Sequence, residues 1–112
     1  RRFVHLSSVA VYGAAEGAVR ETTPRSPADA AYGQWKAQAE ALVEAERSME
    51  VVILRPALVY GPHGPLWIEK MARRVANGSL GAMGKAGEGI ADLVHVRDVA
   101  EAIALALTGR PG

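Results

Sequence analysis

The 112-residue sequence predicts an α/β fold in which short parallel strands alternate with helices. Three apolar runs, at residues 3–6, 51–54 and 93–96, have the length and composition of buried strands. A segment with helical spacing follows each run, which gives the order strand, helix, strand, helix, strand, helix. Because parallel strands need crossover connections, this order favours helices that cross between strands of one parallel sheet. The length fits one small domain.

The first half of the chain is predicted to form a strand, a loop, a helix and a second strand. The strand at residues 3–6 ends at two serines, and residues 13–27 are rich in Gly, Pro, Thr and Ser, as loops are. Residues 29–47 are rich in Ala, Glu, Gln and Lys, and their larger apolar side chains recur at helical spacing. These features predict a helix. The run at 51–54 reads as a strand covered on both faces, and Pro56 ends it.

The second half is predicted to contain two helices and one strand. A loop at residues 61–65 leads into a helix over 66–76, and a glycine-rich stretch then extends to Gly89. The strand at 93–96 is followed by Asp98, which has a glutamate three residues later. That spacing is typical of a capping box and predicts Asp98 as the N-cap of the last helix.

The composition argues against several kinds of function. A net charge of +1 gives no electrostatic basis for binding nucleic acid or an anionic membrane. The absence of cysteine excludes disulfides, thiolate catalysis and cysteine metal sites. The three histidines lack metal-ligand spacing, so no metal site is predicted. No apolar run approaches the roughly 20 residues that cross a bilayer, and we expect a cytoplasmic protein.

Three side chains, Tyr32, Lys36 and Ser8, predict an acid–base catalytic site. Tyr32 and Lys36 are four residues apart on the predicted helix, so their side chains share a face. The pKa of a tyrosine is ordinarily about 10, and acid–base work at neutral pH therefore needs a neighbour that stabilises the phenolate, as an ammonium does. With Ser8 as a further hydroxyl, such a site is able to hold a substrate carbonyl while Tyr32 gains or loses a proton.

Four segments extend this pattern to a family resemblance. Together they closely resemble the NAD-dependent epimerase/dehydratase family, the extended short-chain dehydrogenases, over essentially all of residues 3–108. The segments are Ser7-Ser8-Val9-Ala10-Val11-Tyr12-Gly13, Tyr32-Gly33-Gln34-Trp35-Lys36, Leu54-Arg55-Pro56-Ala57-Leu58-Val59-Tyr60-Gly61-Pro62 and His95-Val96-Arg97-Asp98-Val99-Ala100.

The resemblance implies a fold and a set of roles. The fold would be part of a Rossmann-like, doubly wound parallel sheet over residues 1–61, and a substrate-side region with the final strand and helix over 62–112. Tyr32 would be the general acid/base, Ser8 would hydrogen-bond the reacting oxygen, and Lys36 would bind the nicotinamide ribose and lower the tyrosine pKa. The residues expected to contact the NAD or NADP cofactor are Ser7, Tyr32, Lys36, Pro56 and Leu58.

The glycine-rich fingerprint that binds the cofactor pyrophosphate in this family cannot be placed in the chain. The first strand here corresponds to the family strand that bears the catalytic serine. We therefore expect the nucleotide-binding half, and with it the choice between NAD and NADP, to lie before Arg1, and the fragment alone to be inactive. The resemblance also implies a homodimer formed through the helix around residues 29–47.

Departures from the family pattern bear on the substrate. Val9 and Ala10 stand where sugar-nucleotide dehydratases carry Asp and Glu, which argues against dehydration. Leu58 and Ala91 stand where many sugar-nucleotide members carry Asn and Arg, and apolar side chains cannot replace the hydrogen bonds of those groups to a diphosphate sugar. These positions favour redox of a small-molecule secondary alcohol or ketone. A nucleotide-sugar epimerase, a catalytically silent cofactor-sensing protein and a free-standing α/β domain remain the alternatives.

Other prominent side chains are predicted to be structural. Tyr12 and Tyr60 occupy Tyr-Gly pairs at the exits of strands. His5 and His95 lie in apolar strands, where a hydrogen-bonded core histidine is expected. Arg97 is expected to be a surface charge.

Overall fold

A computed structural model of the chain describes residues 1–27, 31–64, 68–79, 81, 84 and 90–109. It confirms the α/β class, with parallel strands and helices as in part of a Rossmann-like fold. The division at residues 61 and 62 stays a prediction. No helix in the described ranges is long and apolar enough to cross a membrane.

The first half contains a parallel pair of strands joined through a helix. Strand β1 spans Arg2–Leu6 and strand β2 spans Glu50–Leu54, and the two pair in register from one end to the other. The ladder continues one step further, because the Ser7 N–H donates to the Leu54 carbonyl at 2.7 Å. A short 3₁₀ helix at Val9–Tyr12 follows β1 directly.

Helix α1, at Ala31–Ala45, makes the crossover between these strands. The helix predicted over 29–47 is confirmed for that span, while residues 28–30 lie outside the described ranges. Its buried residues are Gly33 and Glu40, and a Cβ on Gly33 would lie 2.7 Å from the Ala10 carbonyl oxygen. The larger side chains of Trp35 and Leu42 are 67% and 77% exposed instead. At Gly33, α1 comes so close to the 3₁₀ helix that no larger side chain fits between them.

The second half contains a second parallel pair. Strand β3 spans Leu58–Tyr60, strand β4 spans Leu93–His95, and Leu58 lies opposite Leu93. Strand β3 was not predicted, because it has three residues and lies between a proline and a glycine that indicate a loop. The described residues therefore form two two-stranded sheets, rather than one three-stranded sheet.

Helices α2 and α3 accompany this second pair. Helix α2 spans Lys70–Ala76, within the predicted 66–76, and residues 65–67 lie outside the described ranges. Helix α3 spans Val96–Thr108, and its N-cap is His95 instead of the predicted Asp98. The His95 Nδ1 atom accepts the Arg97 N–H at 3.2 Å, so an imidazole does the work of the expected carboxylate, and Asp98 lies in the first turn.

The predictions for the two strand histidines have different outcomes. His95 is half-buried and hydrogen-bonded, as expected, and its ring meets Tyr60 edge-on at a centroid distance of 5.2 Å. The His5 Nε2 atom is also buried, but it has no hydrogen-bond partner among the described residues, so the expected bond is absent there. Arg97 is exposed, as predicted for a surface charge.

The two halves are joined by Arg2. Its guanidinium forms a bidentate pair with Glu50 across the β1–β2 ladder, at 2.9 and 2.8 Å. The same group donates to the carbonyls of Ala106 (2.8 Å) and Gly109 at the end of α3. A cation at a helix C-terminus satisfies carbonyls that have no partner within the helix.

Candidate functional site

The candidate site lies where β1 and β2 end. Ser8 follows β1 and Pro56 follows β2, and the Val9 N–H donates to the Pro56 carbonyl at 3.1 Å. Because the two strands are parallel, their carboxyl ends meet at one edge of the sheet, which is where ligands bind in open α/β folds. Two of the predicted site segments are thereby brought together.

Ser8 is the N-cap of the 3₁₀ helix. Its backbone is extended, and its Oγ accepts the Ala10 N–H at 3.2 Å. A serine hydroxyl has one hydrogen to donate and two lone pairs to accept with, and the cap uses a lone pair. Among the described residues the Ser8 hydroxyl hydrogen has no acceptor, so the local fold makes Ser8 a hydrogen-bond donor suited to a carbonyl or alkoxide oxygen.

Tyr32 and Lys36 lie in the first turns of α1, on the same face as predicted. The Lys36 Nζ atom is 5.8 Å from the centroid of the Tyr32 ring and donates to the Leu6 carbonyl at 2.9 Å. Leu6 is the last residue of β1, so this bond fixes the ammonium at the strand end that leads into Ser8. Tyr32 is 54% exposed, which leaves its phenol open to a ligand.

The other residues predicted to contact the cofactor, Pro56, Leu58 and Ser7, lie at different distances from this strand edge. Pro56 lies beside the 3₁₀ helix through its carbonyl, and Leu58 begins β3, where its N–H donates to the Asp92 carbonyl at 3.1 Å. Ser7 is only 3% exposed. The structure therefore groups Ser8, Tyr32, Lys36 and Pro56 at the strand ends, whereas the Ser7 hydroxyl is withdrawn from the surface that a ligand would reach.

Sequence reasoning missed one charged residue of this region. Glu40 lies one turn beyond Lys36 on α1 and its side chain is fully buried. The Arg55 guanidinium holds both carboxylate oxygens, at 2.9 and 2.8 Å, and Arg25 donates to one of them at 2.9 Å. Arg55 also donates to the Tyr12 hydroxyl at 2.6 Å.

These contacts set the charge state of the cluster. Burial raises the pKa of the Glu40 carboxyl, but hydrogen bonds from Arg55 and Arg25 outweigh it and bring the pKa to about 2. The Ser7 hydroxyl adjoins the carboxylate and also lowers this pKa, although its Oγ makes no hydrogen bond of normal geometry. Hydrogen bonding to Glu40 raises the pKa of Arg55 in turn. The pair is therefore ionised throughout the neutral range.

A signal for Glu40 is present in the sequence in hindsight. Tyr32, Lys36 and Glu40 are spaced by four residues, so all three belong to one face of α1. Arg55 stands immediately before Pro56, at the end of a strand where a free cation is out of place. Neither residue alone indicates burial, because glutamate and arginine are ordinarily exposed.

Open space adjoins the site. A cavity of about 480 Å³ is lined by Val9 and Tyr12, by the end of β2 at Leu54 and Arg55, and by the loop that includes Val19 and Arg20. A second hollow of about 670 Å³ lies near Met49 and Val51, and none of the predicted site residues lines either space. Among the described residues no group of three His, Asp or Glu side chains could hold a metal ion.

Comparisons with known proteins find a family model, two curated relatives and a solved structure that match nearly the whole chain. The family model described as the NAD dependent epimerase/dehydratase family matches residues 1–111. Protein YeeZ of Escherichia coli strain K12 is 34% identical over 111 residues, which are 99% of this chain and 37% of YeeZ. YeeZ of Escherichia coli O157:H7 gives the same values.

A solved structure described as a functionally unknown conserved protein from Silicibacter pomeroyi DSS is also similar. It shares 34% identity with a TM-score of 0.70, and the match covers all of this chain and 38% of that one. The chain thus spans little more than a third of the length of these relatives.

Proposed function

Because the chain belongs to the NAD-dependent epimerase/dehydratase family, we propose that it supplies the catalytic part of an NAD(P)-dependent oxidoreductase. The reaction would transfer a hydride between the nicotinamide and the carbon of a secondary alcohol or ketone, with Tyr32 as the general acid/base. The observation that carries the proposal is the Lys36 ammonium, anchored at 2.9 Å on the Leu6 carbonyl and 5.8 Å from the Tyr32 ring.

The donor capacity of Lys36 suits a nicotinamide cofactor. An ammonium has three N–H groups, and the bond to the Leu6 carbonyl uses one of them. The others are free to hold the ribose hydroxyls, while Pro56 and Leu58 would line the nicotinamide ring. The bound cofactor would supply or accept the hydride, and we propose no preference between NAD and NADP.

The proton is handled by the chain's own residues. In the reduction direction, the Ser8 hydroxyl would donate a hydrogen bond to the substrate carbonyl oxygen and keep its proton, and Tyr32 would transfer its proton to that oxygen as negative charge develops there. The Lys36 cation, 5.8 Å from the ring centroid, would attract the phenolate that remains, and this attraction would strengthen once bound cofactor and substrate exclude water from the exposed Tyr32. In the oxidation direction the same groups run in reverse.

The substrate class follows from the apolar positions in the predicted motifs. Leu58 begins β3 and is half-buried, and Val9, the residue after Ser8, lines the cavity of about 480 Å³. Neither side chain can bind a diphosphate, so we favour a ketone or secondary alcohol over a nucleotide sugar. The family also includes epimerases, and a nucleotide-sugar epimerase is the alternative that the experiment must distinguish.

The test uses the natural polypeptide that contains this chain. Its binding of NAD and NADP is measured by calorimetry, and turnover is measured with reduced cofactor on a panel of aliphatic, aromatic and steroid ketones. A parallel panel of nucleotide-diphosphate hexoses detects epimerisation by product analysis. Consumption of reduced cofactor with a ketone supports the proposal, whereas epimerised sugars with no ketone reduction favour the alternative.

Two substitutions assign the roles within that assay. Tyr32→Phe should retain cofactor binding and lower turnover by about 10²- to 10⁴-fold, the usual contribution of a general acid. Ser8→Asp keeps an acceptor for the Ala10 N–H but has no hydrogen to donate, so it should keep the 3₁₀ helix and lose turnover. Ser8→Thr is the matched control that keeps both. Unchanged turnover in Tyr32→Phe rejects the assignment.

We further propose that the protein forms a homodimer through the helix predicted over 29–47. Trp35 and Leu42 are both more than 65% exposed and lie seven residues apart, which puts them on one side of α1. Sedimentation should show a dimer that Trp35→Glu dissociates. Leu105→Glu, at a 61%-exposed position on α3, is the control that should leave the dimer intact. A monomeric parent protein would contradict the proposal.

A further inference from the structure

We propose that Glu40 is a positioning residue for the candidate site: its buried carboxylate seats α1 against the strand ends and so holds Lys36 and Tyr32 in register with Ser8. The catalytic meaning of this inference rests on the proposed function, but the positioning itself is a property of the chain and is tested separately below.

Two consecutive turns of α1 contact two paired strands at the same level. Lys36 donates to the carbonyl of Leu6, the last residue of β1. One turn later, Glu40 accepts both arms of Arg55, the residue directly after β2. Leu6 and Leu54 are partners in the β1–β2 register, so both contacts sit at the same edge. A helix held at two points a turn apart can neither slide nor rotate freely.

The same carboxylate is connected to the serine. Arg55 donates to the Tyr12 hydroxyl at 2.6 Å, and Tyr12 is the last residue of the 3₁₀ helix that Ser8 caps. Through Arg55, Glu40 therefore joins the segment with Tyr32 and Lys36 to the segment with Ser8. The steric contact of Gly33 with Ala10 brings the segments close, and the ionic contact fixes their relative position.

The Glu40–Arg55 ion pair is better suited to orienting α1 than to adding stability to the fold. Burying a carboxylate and a guanidinium costs solvation that their attraction offsets only in good geometry, so apolar packing would stabilise as much or more. What the fork adds is direction, because two parallel hydrogen bonds fix both distance and angle. Glu44, which pairs with the other arm of Arg25 at 2.9 Å but is 44% exposed, offers a matched control without this fork.

The first test observes Lys36 directly by NMR. The natural polypeptide that contains this chain is labelled at lysine Nζ, with the exposed Lys70 as an internal reference for a solvated ammonium. We expect the Lys36 ammonium signal to be resolved and slowed in exchange with water in the parent chain and in Glu44→Gln. In Glu40→Gln it should collapse to the behaviour of Lys70, and Glu40→Asp should restore part of the difference. The Ser7 amide, bonded to Leu54, reports that the β1–β2 pair is intact.

A folded Glu40→Gln chain with an unchanged Lys36 signal would overturn the inference. If that variant does not fold, Arg55→Lys replaces it, because lysine keeps the charge and loses the two-armed contact. The Lys36 signal should again lose its protection, and an unchanged signal in Arg55→Lys overturns the inference equally.

The second test is a double-mutant cycle on cofactor binding in the natural polypeptide, with NAD and NADP as probes. Lys36→Ala and Glu40→Gln should each raise the Kd about tenfold, the order expected for losing a hydrogen bond to a charged group. If Glu40 acts through Lys36, the double variant should match Lys36→Ala alone, and additive effects would contradict the inference. Turnover in Tyr32→Phe is judged independently, so failure of the proposed reaction leaves the positioning result standing.

Discussion

The two parallel strand pairs of this chain are both hydrogen-bonded ladders, but they contact their helices in different ways. Polar contacts join α1 to the β1–β2 pair. The buried Glu40 carboxylate binds the guanidiniums of Arg25 and Arg55, and Lys36 bonds to the backbone carbonyl of Leu6. The β3–β4 pair is joined to α3 by close packing, because a Cβ on Gly61 would lie 2.5 Å from Val96 Cγ1. Val99 is the buried residue that the described part of α3 contributes.

The difference indicates which half of the chain fixes the positions of its side chains most closely. Every residue proposed to handle the proton lies in the half that is held by directional, ionic contacts. Hydrogen bonds and bidentate ion pairs fix angles as well as distances, whereas apolar packing is non-directional. We interpret the polar half as the rigid support of the chemistry and the packed half as the substrate side.

The largest expected effect separates Glu40 from its exposed neighbour. Glu40→Ala leaves Arg55 partly buried without its carboxylate, and breaking a buried pair in this way typically lowers the free energy of unfolding by about 3 to 5 kcal/mol. Glu44→Ala removes an exposed partner of Arg25 and should cost about 1 kcal/mol or less. Urea unfolding of both variants measures the contrast. Equal losses would mean that the polar half does not depend on its buried charge.

Ionisation of the Glu40 carboxyl should make the stability of the folded chain depend on pH. The pKa of Glu40 is lowered to about 2 in the folded chain, from an ordinary value of 4.5. Its contribution is therefore fully present above pH 4.5 and is lost as the pH falls from there towards about 2. The loss is on the order of 3 kcal/mol by linkage. Chemical unfolding across this window should show a steeper decline in the parent chain than in Glu40→Gln, and parallel curves would contradict the assignment.

Close packing in the other half can be broken and partly restored. Gly61→Ala would drive a methyl group into Val96, and a β-branched side chain on a helix has little freedom to move away. We expect a loss of about 1 to 3 kcal/mol in the free energy of unfolding. Adding Val96→Ala should recover only part of it, because Val96 Cβ would still lie 3.2 Å from the added methyl group and the Gly61 φ of 158° disfavours any side chain. Gly81→Ala, where nothing lies within 4 Å of the added Cβ, is the control.

The smallest effect concerns the link between the halves. Arg2→Ala removes the donor to the last carbonyls of α3 and should cost about 1 kcal/mol. Faster amide exchange in the final turn of α3 is the specific readout. Arg73→Ala, which breaks an exposed pair with Glu69 on α2, should leave both stability and that exchange nearly unchanged. Equal effects would mean that Arg2 contributes only as a surface charge.

The elements with strong local patterns were predictable from the sequence. Helix α1 is rich in Ala, Glu, Gln and Lys, which have high helix propensity, and β1 and β2 contain apolar runs with clear stops. Tyr32 and Lys36 then share a face by helical geometry alone. The polar residues that follow each strand locate the site at one edge of a parallel pair without further information.

The rest depends on contacts between distant parts of the chain. Strand β3 forms because β4 pairs with it, 35 residues later in the register of Leu58 with Leu93. Glu40 is buried because Arg25 and Arg55 reach it from 15 residues away on either side. Helix α3 accepts His95 as its cap because the imidazole is already fixed against Tyr60. No pattern of neighbouring residues in the sequence predicts these three long-range contacts.

The lysine anchor has a consequence for how the sequence can change. Lys36 bonds to the main-chain oxygen of Leu6, and every amino acid offers that oxygen at the same place in a strand. The anchor therefore constrains the backbone at position 6 and leaves its side chain, which is 41% exposed, free to vary. A library randomised at that position should keep the lysine in place for almost any strand-compatible residue. Drift there would leave the site untouched, while a single change at Glu40 would not.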